Sequence, residues 1–271
     1  MGKAFKLASG AQSSSALPDR LDALQNDPDS VRKSLFVISC SACKSRVHIG
    51  SGKWFDMIDD PVSSAFQEFA PLRRELANYY SNIDSEEGAR RIYRGFINQN
   101  PSRWENAWKT NLELPSSGTN LAIQRYTGHL YKQLDCTVIQ ALADRIISNV
   151  MIISALHGPT LPSDMIPYYD LTMQDEWKDG NKLGDKWPRW VRDSSGQQIR
   201  EFLARFNTIY VMAGEDYRGT AKSLAKITED AIEYIEVPSS RSQPSISWGR
   251  QLNTYLLALL RSMRQSAQGT T

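Results

Sequence analysis

The 271 residues hold only three histidines and three cysteines, and neither a second C-x-x-C nor a histidine pair follows Cys40 and Cys43. A structural zinc site takes four such ligands, so nothing here calls for a metal, and no motif calls for a cofactor. A redox pair is the other reading of that C-x-x-C. An odd cysteine count in a chain of this size argues for reduced thiols in a reducing compartment. No apolar run approaches the roughly 20 residues that span a bilayer, and the N-terminus lacks the apolar stretch of a signal peptide. The expectation is a soluble, cytoplasmic protein without membrane contact. A net charge of +2 means that any nucleic-acid contact must come from a local patch. No internal repeat is visible.

What is present is a pattern of apolar strands that end in polar chemistry. Ser34 to Ser39 is β-rich and runs into Cys40, Ser41, Ala42, Cys43 and Lys44. Small residues there let backbone N–H groups approach a ligand, and Lys44 adds a cation. Val150 to Ile153 forms a second buried strand, followed by Ser154, Ala155, His157 and Gly158. Pro159, Pro162 and Pro167 rule out a regular helix after it. In open α/β sheets ligands bind at that end of the strands, so the two segments are expected to share one pocket. A third segment, Arg125 to Gly128, lies in a helix-like run from Leu121 to Leu134. Its glycine costs roughly 1 kcal/mol in a helix, which fits either a loose turn or close packing against a ligand or another backbone.

The rest of the chain alternates helices with strands. Helices are expected at 63–80, at 85–98 behind a Ser85 cap, and at 102–112 with Trp104 and Trp108 as core packing. Helix, strand, helix, strand and a long closing helix are expected at 197–206, 208–213, 220–228, 231–237 and 247–264. The predicted fold is a single α/β domain over 31–266, with a mainly parallel or mixed central sheet flanked by helices. A helical insertion at about 60–115 separates its first two strands. Residues 1–30, rich in serine and aspartate, and 267–271 are read as tails. Two cationic stretches stand out: Arg90, Arg91 and Arg94, and the tryptophan-interleaved run 177–192 with Lys186 and Arg189. Such a run suits a nucleic-acid strand, and a surface loop pinned by its tryptophans is the competing reading.

In Ser39, Cys40, Ser41 and Lys44, then Tyr126, Thr127 and Gly128, then Ser154, Ala155, Gly158, Pro162, Asp164, Ile166, Pro167 and Tyr168, the chain resembles the YaaA-type peroxide stress family. The match covers about 45 residues between positions 34 and 173. The resemblance implies DNA binding and, through wider relatives, kinship with uracil-DNA-glycosylase-like domains. His157 departs from the aromatic residue expected between Ala155 and Gly158, and Asp170 lies one residue from the family's acidic position.

The chemistry of base excision then assigns roles. A flipped base needs flat walls, which Tyr126, Tyr168 and Tyr169 could supply, and cleavage of an N-glycosidic bond needs a carboxylate and a donor. Asp170 is the first candidate for the carboxylate, Asp164 the second, and His157 or Lys44 would donate to the departing base or hold a phosphate. The leading expectation is a DNA glycosylase, acting on duplex with a flipped base, with modified viral DNA in antiviral defence as one such substrate. Its rival is a non-enzymatic DNA-binding protein of peroxide stress protection, and a nucleoside-processing enzyme is the third reading. Oligomeric state is not legible in the sequence.

Overall fold

Three short apolar segments, β1 (Ser34–Ser39), β3 (Val150–Ser154) and β6 (Thr208–Met212), are buried side by side because both of their faces are covered by helices, and β7 (Glu233–Glu236), with only Ile235 buried, forms an edge. Leu35 to Ile38 and Val150 to Ile153 are fully enclosed, as strands in the middle of a parallel sheet must be. The computed structural model describes residues 16–50, 52–93, 103–194, 196–228 and 231–268. Its five-stranded sheet runs in the order β4-β3-β1-β6-β7, where β4 (Gly158–Thr160) pairs antiparallel with β3 and the others are parallel. Pro159 lies in β4, an edge strand, the position in a sheet that tolerates a missing N–H. A separate antiparallel pair joins β2 (Thr119–Leu121) to β5 (Met165–Pro167). This is the expected single α/β domain with a mixed, helix-flanked sheet.

The chain leaves β1 toward β3 on one side and returns through β6 on the other, so the loops after β1 and β6 diverge. That divergence opens the switch point at which α/β sheets bind ligands. Cys40, just past β1, and Tyr217, on the Glu215–Lys226 helix after β6, meet there with Sγ and Oη 3.4 Å apart.

Several helices differ from their expected bounds for identifiable reasons. The Ala70–Ser81 helix starts later than position 63, since the N–H of Ser63 goes to Asp60 O and that of Ala65 to the Asp164 carboxylate. Its buried stripe is Arg73, Leu76, Ala77 and Tyr80, at helical spacing, and it includes an arginine. Ser85 caps the Glu86–Ile92 helix as expected, its Oγ accepting from Gly88 N–H. The run 121–134 breaks into the Ala122–Arg125 helix and a short turn at Tyr131–Gln133. Residues 16–30, expected as tail, form the Ala16–Asn26 and start the Pro28–Arg32 helices, fastened by Leu24 in the core and by Arg20 on Glu233. The cationic run 177–192 is no surface loop over most of its length: the Leu183–Ser194 helix buries Leu183, Trp187 and Val191 along one face.

Candidate functional site

Parallel pairing of β1 and β3 brings their C-terminal ends level, with Ser39 beside Ile153 and Cys40 N–H on Ile153 O at 2.9 Å. Ser154 turns the chain after β3, its Oγ accepting from His157 N–H at 3.0 Å. Gly158 follows at φ 64, and a Cβ there would lie 2.2 Å from the Trp187 ring, so only glycine fits. The loop after β1 is held from the far side of the insertion. Lys44 bridges to Tyr126, Thr127 N–H donates to Cys43 O at 2.9 Å, and Tyr131 Oη donates to Ser39 O at 2.8 Å. Gly128 presses directly on this loop, since a Cβ would fall 2.1 Å from Ser41 Oγ. The close-packing reading of that glycine is the correct one, and its neighbour is the β1 loop.

The three motif segments therefore converge, and Tyr169 joins them. Tyr126 and Tyr169 share a hydrogen bond of 2.8 Å, and Tyr169 and Ser154 share one of 2.7 Å, giving a buried chain of three hydroxyls. Burial pushes both phenols above their ordinary range, so they stay protonated. Lys44 Nζ sits 4.4 Å from the centre of the Tyr169 ring and has no hydrogen-bond partner. Burial lowers its pKa, against the pull of Asp170. Asp170 is the counterpart: burial raises its pKa, against Lys44 and Arg103, and its Oδ1 is equally without a partner. Buried polar groups are seldom left so, and here two of opposite charge are.

Asn111 fixes Asp170 in place. Its Oδ1 accepts Asp170 N–H at 2.9 Å and its Nδ2 donates to Asp170 O at 2.8 Å, while also reaching Tyr93 Oη at 3.1 Å. Sequence reasoning missed this residue, although an asparagine on the buried side of the Arg103–Leu112 helix is the signal that could have found it.

Other expected site residues lie elsewhere. Asp164 is a loop fastener, its two carboxylate oxygens accepting Ala65 N–H at 3.1 Å and Leu161 N–H at 2.9 Å. Burial raises it to about 6. His157 is enclosed between Trp54, 5.0 Å away, and Tyr169, 6.1 Å away. Burial and then Arg73 push its pKa well below the ordinary value, so the imidazole is neutral. Arg73 is wholly buried and donates to His157 O, Pro159 O, Phe66 O and Ser64 Oγ.

Tyr168 points away from Tyr169, into a second feature. It lines an open cavity of about 460 Å³ with Arg46, His48, Asn106, Lys109 and Ser117, and Arg46 stacks on its ring at 5.2 Å. Of the expected nucleic-acid contacts, Arg90 and Arg91 are exposed, Arg90 over the Trp104 ring at 5.3 Å, and Arg94 lies outside the described residues. Lys186 pairs with Asp179 and Arg189 with Asp193, and Trp187 is in the core with its N–H on Ala155 O. Among the described residues, no three His, Cys, Asp or Glu side chains gather as a metal site, and no helix is long and apolar enough to cross a membrane.

Residues 35–238 match the family model described as peroxide stress protein YaaA. The chain belongs to this family. No curated protein matches it. YaaA membership connects the chain with peroxide stress, and the expected kinship with uracil-DNA-glycosylase-like domains is no part of the match. In this YaaA-family chain the matched stretch contains β1, the whole insertion, β3 and the cavity beside Tyr168.

Proposed function

We propose that this YaaA-family protein acts in peroxide stress by binding DNA through the cavity beside the β1 loop. The observation that carries the reading is the polar cavity itself, where Arg46, His48 and Lys109, the last paired with Glu105, offer donors to phosphate beside Tyr168, and Glu113 also lines the wall. With a net charge of only +2, a confined cationic groove is the form that such binding would take. The test is duplex affinity measured across a range of salt concentrations. Arg46→Ala and Lys109→Ala are each expected to weaken binding uniformly across sequences and to flatten the salt slope by about 1. Salt-independent or absent binding by the parent protein sinks this reading.

A second reading, base excision, is favoured by one specific observation: the Lys44 ammonium and the Asp170 carboxylate are buried and without partners beside the Tyr169 ring. In it a flipped base lies against Tyr169, Lys44 donates to the departing base, and Asp170 stabilises the sugar cation or activates water. Asp170→Asn separates the two readings. A glycosylase loses base release and keeps DNA affinity, whereas the binding protein releases no base in either form.

A further inference from the structure

The C-x-x-C of the β1 loop takes no part in either reading above, yet it is held in a particular way. Cys40 is fixed at both ends of its side of the loop: its N–H lies on Ile153 O, and its thiol meets the Tyr217 hydroxyl across the switch point at 3.4 Å. Burial holds that phenol protonated, so it can donate to sulfur. The chain bends at Ala42, where Ser41 Oγ accepts Cys43 N–H at 3.1 Å, and this turns Cys43 outward into solvent. Both cysteines are free thiols, one buried and one exposed. The next residue, Lys44, carries a buried side-chain nitrogen without a hydrogen-bond partner.

We propose that Cys40 and Cys43 form a peroxide-driven, reversible disulfide, with Cys43 the attacked thiol and Cys40 the resolving one. Exposure decides the order, since Cys43 is the sulfur that peroxide meets first. The Cys43 thiolate attacks one oxygen of hydrogen peroxide, the O–O bond breaks, and the hydroxide released takes up a proton to leave as water. The Cys43 sulfenic acid is then attacked by Cys40 sulfur, the S–O bond breaks, and the Cys40 proton departs with the hydroxyl as a second water. Two thiols are oxidised and one peroxide is reduced to two waters. A dithiol reductant restores the pair by exchange. In the oxidised form Cys40 no longer bonds to Tyr217, so the tie between the ends of β1 and β6 is released.

This proposal stands on thiol chemistry and not on DNA binding, so the two can fail separately. The experiment treats the full-length protein with stoichiometric hydrogen peroxide, then counts thiols after denaturation and maps any disulfide by peptide mass spectrometry. The three thiols of the parent are expected to fall to one, and dithiothreitol to return all three. Cys136→Ser is expected to keep the reaction, and Cys40→Ser to stop it at a Cys43 sulfenic acid that dimedone traps. An unchanged thiol count, a disulfide through Cys136, or a dimedone adduct on Cys40 in place of Cys43 overturns the proposal.

Discussion

Gly128→Ala puts the convergence of the motif segments to a direct test. An added Cβ would lie 2.1 Å from Ser41 Oγ and 3.0 Å from Ser41 Cβ, well inside van der Waals contact. Rotating the serine hydroxyl away relieves the first clash, but it gives up the bond to Cys43 N–H, worth about 1 kcal/mol, and leaves the second clash in place. Overpacking of this kind costs about 1–3 kcal/mol. Against it stands the entropy that alanine removes from the unfolded chain, about 0.4–1 kcal/mol in favour of the variant. The steric cost wins, for a net loss of about 1–2 kcal/mol, or a few degrees in Tm for a chain of this size. Equilibrium urea denaturation measures it, with an unchanged m-value as the sign that the native state stays compact. Ser41→Gly removes both clashing atoms, so the double variant should recover most of the steric term. A Gly128→Ala protein as stable as its parent, or a double variant that recovers nothing, refutes the contact and with it the close seating of the 126–128 segment on the β1 loop.

Two further outcomes follow from the buried charges. Arg73→Met should destabilise by about 3–5 kcal/mol, because His157 O, Pro159 O and Phe66 O lose their donor together, and a loss under 1 kcal/mol in the same denaturation assay contradicts that role. Asp164, held at about 6 when folded and near 3.9 when unfolded, binds its proton more tightly in the native state. Its contribution is therefore complete below about pH 4 and is lost as pH rises through about 6, and Asp164→Asn should flatten that part of the stability profile. A profile identical to the parent's between pH 4 and 6 would falsify the assignment.

The strands were legible because their chemistry is local. Leu35 to Ile38 and Val150 to Ile153 are unbroken apolar runs, and a strand covered on both faces uses such a run. The meeting of the motif segments followed from the strand ends, and Lys44, Tyr126, Ser154 and Asp170 were named from residue type, neighbourhood and the family resemblance, whereas the open cavity lies beside Tyr168. What could not be read depends on partners far along the chain. Arg73 and Arg74 are adjacent and chemically identical, yet Arg73 is buried by carbonyls from positions 157 and 159 while Arg74 reaches Asp59 near the surface. Tyr168 and Tyr169 are likewise adjacent, and the direction of the backbone sends one to the open cavity and the other to the hydroxyl chain. The tryptophans of 177–190 resemble a stacking platform in sequence, but they pack edge to face against one another and against Tyr79. An amphipathic helix offers the same residues as a cationic loop does, and only its packing partner tells the two apart.

The sheet order also bears on how the chain is made. β1 emerges early in synthesis, but both of its neighbours, β3 and β6, lie beyond the insertion of residues 40–149. At about 5–20 residues per second a ribosome needs several seconds to deliver the first of them. During that interval the central strand of the sheet has both edges open, with only the nascent insertion to shield it. The central pairing thus forms late and across a long loop, which makes for slow folding and leaves the nascent chain reliant on shielding of β1 from other strands.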